Sequence, residues 1–100
     1  MNLLDQLGKP AVLEQCAEEC IELAHACLKM ARKLRDENPT PASEDDIAKN
    51  LVEEIADVLV SIDGVIKTGV VRPAEINATK TYKKYRWENR LKEKFKIKGE

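Results

Sequence analysis

The spacing of apolar residues along the chain predicts a long first helix. Between Pro10 and about Arg35 no glycine or proline interrupts a stretch rich in Ala, Leu, Glu and Lys, and apolar residues recur every three or four positions. The pattern gives only slight support to a further short helix over residues 3–7. We expect the apolar face of the first helix to be centred on Leu13, Cys16, Cys20, Ala24, Cys27, Leu28, Ala31 and Leu34.

A second helix is predicted from about Glu44 to Lys67. The proline-containing segment 38–42 must end the first helix, because proline cannot donate a helical hydrogen bond. Ser43 then offers an N-cap oxygen, and Asp46 stands at the third position of a variant capping box. The residues expected to face inward are Ile47, Leu51, Ile55, Val58, Leu59, Ile62 and Ile66.

A third helix is predicted from Pro73 to about Lys94. Gly69 suits the left-handed conformation that ends many helices, and Pro73 with Glu75 is typical of a helix start. The predicted fold class is therefore all-α. We expect a helical hairpin of two long helices plus a third C-terminal helix, in a single domain over residues 1–100, which forms a bundle on dimerisation.

Composition excludes several other classes of protein. The chain has 100 residues, of which 43% are hydrophobic, so it can bury a core and is not expected to be disordered. No apolar run approaches the roughly 18 residues needed to span a membrane, and the first residues do not resemble an export signal. Three cysteines without an export signal favour reduced thiols and a cytoplasmic location. A core this small favours self-association.

The charges are distributed unevenly along the chain. Residues 1–76 carry 15 acidic and 8 basic side chains, whereas residues 77–100 carry 3 acidic and 9 basic ones. An acidic body with a basic tail suits a protein that holds a metal ion at one place and phosphates at another. The same distribution is also found in basic arms that bind nucleic acid, and in ordinary solvated surfaces.

Two pairs of acidic residues are the strongest candidates for chemistry. Glu19 and Glu22 are three residues apart and project from one side of the first helix, and Glu54 and Asp57 have the same spacing on the second. Each pair is predicted at the edge of an apolar face, so packing the two faces together would bring the carboxylates toward each other. Converging carboxylates repel one another unless a cation neutralises them. Oxygen ligands favour Mg²⁺, with Mn²⁺ as an alternative.

The segments that carry these acids resemble a known family. EECIEL (residues 18–23), followed by NLVEEIADVLVSI (residues 50–62), is similar to the EExxE…ExxD signature of the MazG-like all-α nucleoside triphosphate pyrophosphohydrolases, over about Gly8 to Arg90. The resemblance implies hydrolysis of a nucleoside or deoxynucleoside triphosphate to the monophosphate and pyrophosphate. It also implies a homodimer or a dimer of dimers, with Mg²⁺ held by Glu19, Glu22, Glu54 and Asp57. Glu18 or Glu22 is the candidate catalytic base that takes a proton from water.

Four basic residues are the candidates for binding the phosphates of the substrate. They recur every three or four positions, which places them on one face of the third helix. The last two also match the basic helix of the resembling family. These residues are Lys80, Lys83, Arg86 and Arg90.

Other functions remain open at this point. Phosphoribosyl-ATP pyrophosphohydrolase shares the acidic motifs but has a lysine-rich lead-in that the neighbourhood of Gln15 lacks. A non-enzymatic helical interaction protein is a second alternative, and a nucleic-acid-binding module is a third and less favoured one. A zinc site is disfavoured, because the chain has one histidine and its cysteines are predicted on the apolar face.

Overall fold

The computed structural model describes residues 3–36 and 41–99, and it consists of three helices. Helix α1 spans Leu3–Arg35, α2 spans Glu44–Lys67 and α3 spans Pro73–Gly99. The predicted all-α class is confirmed, and no strand occurs within those two ranges. The bounds of α2 agree with the prediction, whereas α3 continues beyond Lys94 to Gly99.

Helix α1 contains a break at Gly8. This residue has φ 83° and ψ −179°, a conformation that is essentially restricted to glycine. The break separates a short N-terminal helical piece from a long one that has Pro10 in its first turn, where a missing N–H costs nothing. The short helix over residues 3–7 and the long helix that begins near Pro10 are therefore both present, as the two pieces of α1. The predicted break after α1 includes Asn38, Pro39 and Thr40, which lie outside the described residues.

The two ends of α2 are fixed by local hydrogen bonds. The backbone N–H of Asp46 donates to Oγ of Ser43 over 3.1 Å, which confirms the predicted N-cap. At the other end Gly69 has φ 79°, and its N–H donates to the carbonyl of Ile66 over 3.1 Å. This is the left-handed termination that the sequence predicts.

Helices α1 and α2 pack against each other in one compact unit, Met1–Gly69. The most buried apolar side chains are Val12 and Ala26 on α1, and Ile47 and Val58 on α2. A Cβ placed on Gly64 would lie 3.4 Å from Cγ1 of Val12, so the two helices approach closely at this glycine. The buried and half-buried positions of α1 recur at alternating intervals of four and three residues, as in a coiled-coil seam. The residues in this series are Val12, Cys16, Glu19, Leu23, Ala26, Met30 and Lys33, whereas Leu4, Gly8, Ala11 and Ala31 are half-buried outside it.

The predicted apolar face of α1 is therefore wrong by about a quarter turn at 100° per residue. Leu28 and Leu34, expected at its centre, are more than half exposed. Cys20 and Cys27, expected in the core, are also exposed. Helix α2 alone covers only a narrow stripe of α1, and this stripe runs along one edge of the wide apolar face. In consequence the hairpin leaves many large apolar side chains exposed, among them Ile21, Leu28, Leu34, Val52, Leu59 and Val60.

Helix α3 belongs to a second compact unit, Val70–Glu100. Near its start Arg72 forms a surface ion pair with Glu75 at 3.6 Å. Further along, the guanidinium of Arg86 lies over the ring of Tyr82, 5.6 Å from its centroid. Within the described ranges, none of the three helices is long and apolar enough to cross a membrane.

Candidate metal centre

Three carboxylates converge at the middle of the α1–α2 hairpin. Glu19 and Glu22 come from α1 and Glu54 comes from α2, and one oxygen of each lies within 4.8 Å of the others. The sequence predicts this convergence from the paired three-residue spacing. Glu19 and Glu54, which are predicted at the edges of the apolar faces, are half-buried residues between α1 and α2.

Burial leaves two of these carboxylates incompletely satisfied. Glu19 and Glu54 are half-buried, and Oε2 of each is buried without a hydrogen-bond partner. A buried polar atom without a partner is costly, and more so when it carries negative charge. Glu22, in contrast, is exposed. Two unpartnered oxygens and a third, accessible carboxylate are oxygen donors of the kind that hard divalent cations bind, so their chemistry fits such an ion.

Gln15 holds the carboxylate of Glu19 in place. Its side-chain amide Nε2 donates a 2.7 Å hydrogen bond to Oε1 of Glu19, one helical turn further along α1. The other oxygen, Oε2, is the one that is buried without a partner. Gln15 is not among the predicted site residues, although its four-residue spacing from Glu19 is the signal that could have found it.

The electrostatics of the cluster are most evident at Glu54. Burial raises the pKa of the Glu54 carboxyl above that of an ordinary glutamate, and the negative charges of Glu22, Asp57 and Glu19 raise it further. A hydrogen bond with Glu22 adds to the same shift. Each of these causes disfavours the ionised form of Glu54. A bound cation would act in the opposite direction.

The two remaining acidic candidates are more peripheral. Asp57 is exposed and is not one of the three carboxylates that converge within 4.8 Å, although its charge acts on Glu54. Glu18 is also exposed and outside the converging trio. Among the described residues, no cysteine or histidine forms a comparable cluster. Burial raises the pKa of the Cys16 thiol, with Cys20 as a smaller contribution.

The predicted phosphate-binding residues all lie on α3 in the second compact unit. Each of the four is exposed, and Arg86 stacks on Tyr82 of its own helix. The exposed aromatic residues Tyr85 and Trp87 accompany them. The four are Lys80, Lys83, Arg86 and Arg90.

The chain matches no protein-family model, no curated protein and no solved structure.

Proposed function

We propose that this protein hydrolyses a nucleoside or deoxynucleoside triphosphate to the monophosphate and pyrophosphate with the help of Mg²⁺, as its resemblance to MazG-like pyrophosphohydrolases implies. One observation carries the proposal. Glu19 and Glu54 each bury an unpartnered carboxylate oxygen at a point where Glu22 joins them within 4.8 Å. A hairpin that needed only stability would fill these seam positions with apolar residues.

The ion would be held by Glu19, Glu22 and Glu54, with Asp57 as a further ligand from α2. Carboxylate oxygens are the ligands that Mg²⁺ prefers, and Mn²⁺ accepts the same set. Bound Mg²⁺ supplies positive charge that neutralises phosphate oxygens and lowers the pKa of a water. Gln15 supports this arrangement, because its hydrogen bond to one oxygen of Glu19 fixes the direction of the other.

The proton of the attacking water needs a base next to the cluster. Of the two predicted candidates, Glu22 is favoured over Glu18, because Glu22 is both exposed and a member of the trio. Water then attacks phosphorus, the bridge between the α and β phosphates breaks, and pyrophosphate leaves with the electron pair of that bond.

The leaving pyrophosphate requires positive charge. We assign this role to the basic face of α3, with Arg86 and Arg90 as its principal members, because a guanidinium binds phosphate through two parallel hydrogen bonds.

Self-association is part of the same proposal. Apolar side chains of the hairpin such as Ile21, Leu34 and Leu59 are more than half exposed. Large apolar side chains exposed in this number favour burial against another chain. We therefore propose a homodimer or a dimer of dimers, in which chains bury these faces and complete each other's sites.

Two alternative functions remain compatible with these residues. Phosphoribosyl-ATP pyrophosphohydrolase would use the same acids. A nucleic-acid-binding role is favoured by one observation, namely that Tyr82, Tyr85 and Trp87 are exposed on the basic helix α3. Strongly salt-dependent retention on single-stranded DNA, without hydrolysis of any nucleotide, would support that role.

The decisive experiment is a substrate panel. Each nucleoside and deoxynucleoside triphosphate, together with phosphoribosyl-ATP, is incubated with the protein and Mg²⁺, and products are separated by chromatography. We expect at least one triphosphate to give the monophosphate and pyrophosphate. Release of inorganic phosphate and a diphosphate would exclude cleavage between the α and β phosphates.

A further inference from the structure

A cavity of about 360 Å³ lies within the first compact unit, between the start of α1 and the second half of α2. Its apolar wall is formed by Leu4 from the short piece before Gly8, Val12 from the long piece of α1, and Val60 from α2. Its volume falls within the range of small-molecule sites, which is about 300–1,000 Å³. The cavity therefore has room for a nucleoside-sized ligand.

The polar part of the lining points to a ligand with both hydrogen-bond donors and acceptors. Gln15 contributes an amide, Ser61 a hydroxyl, Asp63 a carboxylate and Lys67 an ammonium group. Amide and hydroxyl groups both donate and accept hydrogen bonds. A lining that combines apolar side chains with such groups is chemically suited to a heterocycle with ring nitrogens and exocyclic amino or carbonyl groups.

One residue, Gln15, links the cavity to the carboxylate cluster. Gln15 lines the cavity and also donates the 2.7 Å hydrogen bond to Glu19. Along α1, Gln15 lies about 6 Å and Val12 about 10 Å from Glu19 at 1.5 Å per residue. A nucleotide whose phosphates meet the cluster would place its sugar near Gln15 and its base near Val12.

We propose that this cavity binds the nucleobase and sugar of the triphosphate, and that Gln15 couples base binding to the position of Glu19. The inference rests on the proposed function, because it takes the carboxylate cluster as the place where the phosphates bind. It goes further by assigning base selection to residues of the hairpin itself. Gln15 is in this view a positioning residue, since it acts on the cluster through Glu19.

The test uses a matched pair of variants of the full-length chain. Val60 is 71% exposed and lines the cavity, so Val60→Phe fills the cavity from its rim without opening the buried seam. Val52 is 66% exposed on the same helix and is not a lining residue, so Val52→Phe is the control with the same change in side chain. Circular dichroism and light scattering check that both variants keep the helical content and association state of the parent.

Two readouts are measured. The first is the KM of the preferred triphosphate, which we expect to rise about tenfold or more in Val60→Phe and to stay unchanged in Val52→Phe. The second is the binding of adenosine, guanosine, cytidine, uridine and thymidine in the presence of a chelator, followed by NMR. We expect one nucleoside to shift the side-chain signals of Gln15, Val12 and Val60, and Val60→Phe to abolish its binding.

The outcomes separate the cavity from the proposed function. If a triphosphate is hydrolysed but Val60→Phe behaves like Val52→Phe and no nucleoside shifts these signals, the cavity assignment is overturned and the hydrolase stands. If no triphosphate is hydrolysed but a nucleoside binds at these residues, the cavity is a nucleoside site and the hydrolase fails. If neither hydrolysis nor nucleoside binding occurs, both are overturned.

Discussion

Glu19 and Glu54 approach within 4.8 Å across the seam of the α1–α2 hairpin, and each has one carboxylate oxygen buried without a partner. Two like charges in such a position oppose folding of the hairpin at neutral pH. Their presence is explained if a cation binds there.

The first prediction concerns turnover. Glu54→Gln keeps the shape of the side chain but removes its charge, so we expect activity to fall by more than the roughly 10- to 100-fold that is typical for loss of an outer-shell partner. Glu53→Gln, at the exposed neighbouring position, is the matched control and should retain activity. Steady-state pyrophosphate release measures both. Full activity of Glu54→Gln would remove this residue from the metal centre.

The second prediction concerns metal and stability. Mg²⁺ that binds only the folded protein should raise the free energy of unfolding, by about 2.7 kcal/mol at 100 times its Kd. Thermal unfolding with and without Mg²⁺ measures this, and Mn²⁺ should act in the same way. The stabilisation should persist in Glu53→Gln and disappear in Glu54→Gln. A melting temperature that no divalent cation changes, with or without nucleotide, would contradict the site.

The third prediction concerns pH in the absence of metal. Burial and the neighbouring acids raise the pKa of Glu54 in the folded protein. In the unfolded chain the pKa of a glutamate is about 4.3. Between these two pKa values the folded state binds more protons, so this group makes stability fall as pH rises. Glu54→Gln lacks the effect.

The measurement is the difference in free energy of unfolding between Glu54→Gln and the parent, from urea titrations in chelator. As pH rises from the unfolded to the folded pKa of Glu54, the variant should become more stable relative to the parent. Above the folded pKa the difference should stay constant. A difference that is constant between these two pKa values would mean that the carboxylates do not interact.

The fourth prediction concerns association. Exposed apolar residues on both hairpin helices, such as Leu34 on α1 and Leu59 on α2, should be buried between chains. Light scattering at micromolar concentration should therefore report at least twice the 11.3 kDa mass of one chain. A mass of 11.3 kDa under these conditions would contradict self-association.

The fifth prediction concerns the basic helix. Arg86→Ala should lower kcat/KM for the triphosphate, whereas Lys92→Ala, at an exposed position about 120° away around α3, should not. If chains share sites, mixing Glu54→Gln chains with Arg86→Ala chains should give more activity than the sum of the two variants alone, because one of the mixed sites is then intact. No gain over that sum after verified subunit exchange would mean that each site is built from one chain.

Sequence alone determined the elements of this protein, because their signals are local. The start of α2 is capped by a hydrogen bond from the backbone N–H of Asp46 to Oγ of Ser43, which is only three residues away. The end of α2 is set by the backbone conformation of Gly69 itself. The i, i+3 spacing of Glu19 and Glu22 likewise places both carboxylates on one side of α1, whatever that helix packs against.

Tertiary structure alone decided which side of each helix is buried. The wide apolar arc of α1 is compatible with several packing directions, and contact with α2 selects the edge that contains Val12, Glu19 and Ala26. The close approach of Gly64 to Val12 and the cavity beside them are also products of that packing. The contact between α1 and α2 is narrow, and its direction depends on the neighbouring helix. The periodicity of a single helix could therefore not show that Glu19 and Glu54 lie within this contact.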